Sequence, residues 1–224
     1  RILNPRVSAS RASGAMTVDG VGGVASNVFS GVYANSIVGA TGQPGAINVN
    51  AANLAITNGA AISSDTEGSA NAGNVNVTAG NLSLATKGVI SSATSDAGNA
   101  GTVNVNAGNL AITSGGNITT SSFGSASGTA GDIKIAAGNI YLSGQDSYIQ
   151  SQSLANNVAG KISVSANNLT ILQDAAITTD TRTSFNAGSI DVAVTGALVI
   201  DGAGQTGSVT GITSDTVYDP PNNT

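Results

Sequence analysis

The sequence contains no cysteine, no histidine and no tryptophan, and a single glutamate, Glu67, in 224 residues. Zinc sites of the Cys/His type, disulfides, cysteine nucleophiles and Ser-His-Asp triads are therefore excluded. Charged residues make up 8% and aromatics 3% of the chain, whereas about a quarter of a typical domain is charged. Seven Lys and Arg against twelve Asp and Glu give a net charge of −5. With no basic patch, nucleic acid is not an expected partner. The longest apolar runs, such as Ala197–Ile200, are four or five residues, far short of the ~18 that a spanning helix requires. Four Tyr and three Phe cannot furnish the aromatic girdles of an outer-membrane barrel. The Asp/Gly nonapeptides of calcium-binding solenoids are also missing, and no cofactor is expected. The chain opens on Arg1 with no signal-peptide pattern, so the expectation is a mature or excised portion of a larger precursor.

What is present is small and aliphatic. Hydrophobic residues reach 40%, with 30 glycines and a mean hydropathy of +0.16; disordered chains combine low hydrophobicity with high charge. The order of these residues is periodic. Gly45, Gly73, Gly101, Gly131, Gly160 and Gly188 recur at intervals of 28, 28, 30, 29 and 28 residues. Each opens a Gly-x-[IV]-x-[IV] segment, from Ile47/Val49 to Ile190/Val192. A second alternating segment follows, Leu54/Ile56 in the first repeat and Leu198/Ile200 in the last. A third is anchored by Ile62, Ile90, Ile118, Ile149, Ile177 and Ile212. Period 2 marks strands with one buried face. Three short strands per repeat of 28–30 residues predict an all-β, right-handed parallel β-helix, because a single coil cannot bury its inward residues until the next coil stacks on it.

The expected organisation is an N-terminal segment, 1–13, without assigned structure, a single β-helix domain, 14–218, and a tail, 219–224, that leaves the ladder at Pro220-Pro221. Within the domain a partial coil, 14–44, precedes coils starting at 45, 73, 101, 131, 160 and 188. Gly14–Gly20 resembles Gly196–Gly202, so the chain starts on the type of coil on which it ends. Coils three and four carry their extra residues in Phe123–Ala130 and Ser143–Tyr148, and coil six has an excursion over Asp201–Gly211.

At the corner between the first and second strands stand Asn53, Asn81, Asn109, Asn139 and Asn168, mostly after Gly. They are read as a structural turn ladder: Gly and Asn tolerate left-handed backbone at a sharp bend, and stacked Asn side chains exchange amide hydrogen bonds. The sequons at Asn81, Asn117 and Asn168 are read as coincidences of composition. The inward column Ser64, Ser92, Thr120, Ser151, Thr179 and Ser214 is expected to form a stacked hydroxyl ladder. Asp132 and Lys161, on adjacent coils, are expected to pair at the surface.

Only one carboxylate pair stands out as a site. Asp180 and Asp215 fall in one outward column, about one coil apart, where they could share a cation or serve as an acid/base pair. Mixed columns of Thr, Ser, Gln, Asp and Ala on that face argue against an ice-binding surface.

Gly73-Asn-Val-Asn-Val-Thr-Ala-Gly-Asn-Leu-Ser-Leu84, followed by Ile90-Ser-Ser and by Asn99-Ala-Gly101 at the head of the next coil, resembles the repeats of filamentous-haemagglutinin-like exoproteins of the two-partner secretion type, particularly the large cyanobacterial ones. The resemblance spans residues 45–200. It implies a long β-helix exported by an outer-membrane barrel partner and serving in adhesion, aggregation or contact-dependent competition. The family's N-terminal secretion domain, with its Asn-Pro motif, is not evident; Asn4-Pro5 alone does not stand for it. The expectation is a non-enzymatic, secreted or cell-surface structural and adhesive rod, with other copies of itself and cell-surface or matrix glycans as partners. The alternative is a β-helix protein that binds or degrades polysaccharide through outward Asp residues.

Overall fold

Two parallel sheets wind together into a solenoid of about six turns, and the described residues contain no helix. The computed structural model describes residues 12–20, 30–124, 126–182, 184–203 and 209–216. Most of the expected N-terminal segment, the C-terminal tail and the middle of the Asp201–Gly211 excursion lie outside the described residues.

One sheet is built from β1 (Ala12–Asp19), β3 (Ile47–Thr57), β5 (Val75–Leu84), β7 (Val103–Thr113), β9 (Ile133–Ser143), β11 (Ile162–Leu172) and β13 (Ile190–Val194), with β14 (Leu198–Asp201) also on β11. The other runs β2 (Gly31–Tyr33), β4 (Ala61–Thr66), β6 (Val89–Thr94), β8 (Asn117–Ser122), β10 (Tyr148–Ser153), β12 (Ala176–Thr181) and β15 (Gly211–Thr216). The pairings follow the repeat, with Val75 on Val103, Asn81 on Asn109 and Ile90 on Ile118, apart from a register shift between Ala12 and Ala15 where β1 meets β3.

The number of strands per turn differs from the sequence expectation. The first two expected strands form one continuous strand of 10 or 11 residues, bent but unbroken. The bend shows as two successive exposed residues, Ala52 and Asn53 in β3, inside an otherwise alternating pattern. Pairing continues on both sides of it, so a change of direction costs only one missed pair, between Ala51/Ala79 and Asn53/Asn81. Only the last turn splits there. Its corner holds three residues, Thr195–Ala197, where the preceding turn holds two, Asn167 and Asn168, so β13 and β14 separate around the extra residue.

The interior is a thin column of Val, Ile, Leu and Ala. Ile47, Ile56, Val75, Leu84, Val103, Ile112, Ile133 and Ile162 are fully buried, each such side chain stabilising the fold by about 1.5–3 kcal/mol relative to exposure. On the second sheet the inward row begins with Ile and continues with hydroxyls: Ile62, Ser64 and Thr66, then Ile90, Ser92 and Thr94, all essentially inaccessible. At the two ends of the first sheet Met16 lies below Leu54 and Leu198 above Leu169.

Candidate functional site

Three corners shape the surface that each turn presents. At the first, the five Asn side chains form a continuous chain of amide bonds. Asn81, Asn109, Asn139 and Asn168 each donate Nδ2–H to Oδ1 of the Asn one turn before, at 2.7–2.8 Å. The ladder ends where Ala197 replaces Asn; the Ala197 N–H donates to Asn168 Oδ1 at 3.0 Å. None of the five has positive φ. That corrects the left-handed corner expected from the Gly-Asn pairs, and the gentle bend within a continuous strand explains why no such conformation is needed.

The left-handed residues sit instead at the second corner, where the chain turns sharply. Asn58-Gly59, Thr86-Lys87, Ser114-Gly115 and Gln173-Asp174 all have φ between 49° and 78°. They are the central pairs of two-residue turns closed by Ala60 N–H to Thr57, Gly88 to Ala85, Gly116 to Thr113 and Ala175 to Leu172. Two successive left-handed residues define type I′. The extra residue of coil four falls here and moves the positive φ to Gly144 and Asp146.

At the third corner, Asx side chains replace missing ladder bonds. Asn71 Oδ1 accepts the Asn99 N–H, Asn99 Oδ1 the Thr129 N–H and Asn74 Oδ1 the Thr102 N–H, each at 2.9 Å. Asp132 Oδ1 does the same for the Lys161 N–H at 2.9 Å. The expected Asp132–Lys161 ion pair is therefore corrected: Asp132 holds the backbone, and the Lys161 ammonium pairs upward with Asp191. That contact raises the Lys161 pKa, but both partners are about half exposed or more, so the pair contributes little to stability.

The inward hydroxyl column also differs from expectation. Rather than bonding mainly to one another, these groups stitch the second sheet to the recurrent glycines. The N–H groups of Gly73, Gly101 and Gly160 donate to Ser64, Ser92 and Ser151 Oγ at 2.8–3.0 Å. Thr120 and Thr179 donate to the Gly131 and Gly188 carbonyls at 2.6 and 2.9 Å. Ser214, on the last turn, is exposed, although it keeps a bond to the Gly188 carbonyl.

Asp180 and Asp215 are stacked as register partners on β12 and β15. The Asp180 carboxylate is turned to the turn below, where Gln150 Nε2 donates to Oδ1 at 3.0 Å and Gln152 Nε2 to Oδ2 at 2.6 Å. Both oxygens are thus engaged by neutral amides, an arrangement that anchors a carboxylate rather than readying it as an acid, base or cation ligand. Among the described residues no group of three or more acidic side chains is placed to hold a metal ion.

Sequence reasoning passed over another carboxylate. Asp65 accepts Ser63 Oγ at 2.6 Å, while its Oδ1 is buried without a hydrogen-bond partner. Burial raises its pKa, opposed by the Ser63 and Ala93 hydrogen bonds and reinforced by Glu67. The nearby Tyr33 phenol is likewise raised, by burial and by Asp65.

Two shallow grooves run along the solenoid on either side of the first corner. The larger, about 950 Å3, follows the Asn76, Asn104, Lys134, Ser163 and Asp191 column. Asn76 and Asn104 extend a second amide ladder up from Asn48, with bonds of 2.9 and 2.8 Å. The smaller, about 580 Å3, lies along the five-Asn ladder and includes Ser83, Ala111 and Tyr141. No lining residue of the smaller groove is charged.

No protein-family model matches the chain, and neither curated proteins nor solved structures yield a match.

Proposed function

We propose that the chain is a rod segment of an extracellular, filamentous-haemagglutinin-like exoprotein, with a structural and adhesive role and no catalytic one. The observation that carries this reading is the identity of successive turns. Asn stacks on Asn, Ile on Ile and hydroxyl on hydroxyl from coil to coil, so the molecule offers a periodic surface rather than one convergent pocket. Periodic surfaces suit multivalent attachment, in which weak contacts repeat along a scaffold. Head-to-tail stacking of copies belongs to the same proposal. Leu198 and Ile200 on the inward row of the last turn remain 50% and 44% exposed, and the similar Gly14–Gly20 segment supplies a strand of the matching type. Export through an outer-membrane partner is proposed from the sequence resemblance alone.

Beads coated with the purified chain, presented to bacterial and host-cell surfaces, test the adhesive role; retention above an albumin-coated control is the expected result. Negative-stain microscopy at high concentration should show end-to-end assemblies, and monodisperse short rods would remove the stacking element. Release of reducing ends from surface polysaccharide, abolished by Asp180→Asn, would replace this reading with the enzymatic one. The two Gln amides on Asp180 weigh against that outcome.

A further inference from the structure

We propose that the uncharged groove beside the five-Asn ladder is a binding site for a neutral, unbranched polysaccharide, with Tyr141 as its aromatic platform. The inference rests on the adhesive reading and names the surface and ligand class through which a rod of this kind would attach.

The ladder sets the chemistry. A side-chain amide has two N–H donors and an oxygen with two lone pairs. In Asn81, Asn109 and Asn139 the ladder uses one donor and one lone pair. All three side chains are exposed, so each keeps one donor and one acceptor for a ligand. These pairs repeat at the turn spacing of ~4.8 Å, fixed in orientation by their neighbours, so little side-chain entropy is lost on binding. A sugar unit in an extended chain advances by a comparable distance and offers hydroxyls that both donate and accept.

Tyr141 supplies the apolar element. It stands in β9 with Ala111 below and Thr170 above in the same outward column, and it is 43% exposed. A large ring rising beside Ala111 and Ser83 gives the groove a wall against which the C–H face of a pyranose packs.

The charge pattern narrows the ligand. Acidic polysaccharides and nucleic acids require cations, and none lines this groove; the other groove has Lys134 and Asp191. An extended peptide is disfavoured too, because the backbone of β3, β5, β7, β9 and β11 is committed to pairing on both sides and leaves no strand edge within the groove to augment.

The test is calorimetric titration of the full chain with cellohexaose and xylohexaose, with hexagalacturonate as the acidic control. Binding of a neutral hexasaccharide, weakened about tenfold by Tyr141→Ala and within twofold of wild type in Tyr141→Phe, is expected, with melting temperatures unchanged. Tenfold corresponds to about 1.4 kcal/mol. Three results would overturn the site: no binding of either neutral oligomer, preference for hexagalacturonate, or a concentration-dependent dimer abolished by Tyr141→Ala, which would make the occupant a second copy. If coated beads still adhere while the neutral oligomers fail to bind, this site is wrong and the adhesive reading stands.

Discussion

Gly101 lies so close above Gly73 that a Cβ on residue 101 would sit 2.2 Å from the Gly73 carbonyl oxygen. The same approach recurs along the whole seam, at 2.3 Å for Gly73 over Gly45 and 2.0 Å for both Gly131 over Gly101 and Gly160 over Gly131. The obstacle is backbone, which cannot rotate away as a side chain could. Gly101 also gives its N–H to Ser92 Oγ, so a displaced backbone forfeits that bond too. Gly101→Ala is expected to lower stability by about 2 kcal/mol or more. Gly42→Ala, where nothing lies within 4 Å of the added carbon, should fall within about 0.5 kcal/mol of wild type. Thermal unfolding of the two variants checks both; equal melting would mean that the glycine seam has room to spare.

The second corner permits a stabilising change. Thr86 and Lys87 hold φ of 49° and 62°, a conformation that costs an L-residue roughly 1–2 kcal/mol. Asn58-Gly59, at the same corner one turn earlier, carries the pair that a type I′ turn prefers. Thr86→Asn combined with Lys87→Gly should raise stability by about 1 kcal/mol, after the extra freedom of glycine in the unfolded chain is subtracted. A lower melting temperature for the double variant would show that these side chains contribute something beyond the turn.

The Asn ladder is expected to be energetically coupled rather than a set of independent caps. Asn81 and Asn109 share one amide bond of 2.8 Å. Asn81→Ala and Asn109→Ala should each cost about 1 kcal/mol, and the double variant should cost about 0.5–1 kcal/mol less than their sum. Strict additivity would mean that the exposed amides prefer water to one another.

Much of this fold was legible because a solenoid writes its core into the spacing. Ile62, Ile90, Ile118, Ile149 and Ile177 recur at the repeat, and all are fully buried. The two-strand turn was less visible: the Ala51–Leu54 bend keeps its hydrogen-bond ladder, and residue type does not record whether a strand stops or merely bends. Gly80, Gly108 and Gly138 look like turn residues and so point to left-handed conformations at the first corner, where none of the ladder Asn residues adopts one. Thr86-Lys87 and Gln173-Asp174 do not look like turn residues, though the turn forces both into that region. Lys161 illustrates a further limit, since a column of charges can pair upward or downward, and the Asx cap made by Asp132 decides which. The groove beside the Asn ladder was hidden for a simpler reason. Tyr141 lies at an ordinary outward strand position, and only the surrounding column of small residues gives its ring a wall to form.

Asp65 gives a pH-dependent prediction. Its folded pKa is raised from 3.8, chiefly by burial, with Tyr33 and Glu67 the titratable groups around it. Between 3.8 and the raised value the folded state holds more protons than the unfolded one, so stability falls as pH rises through that window and stays lower above it. An amide desolvates at less cost than a carboxylate and can still accept from Ser63 through its oxygen. Asp65→Asn should therefore be more stable than wild type at pH 7, by on the order of 1 kcal/mol. The two proteins should converge as pH falls below about 3.8, where the carboxyl is neutral in both states. Melting curves from pH 3 to 8 decide the matter: a variant less stable than wild type at pH 7 would mean that the charged carboxylate, despite its unpartnered oxygen, is a net anchor for the first turns.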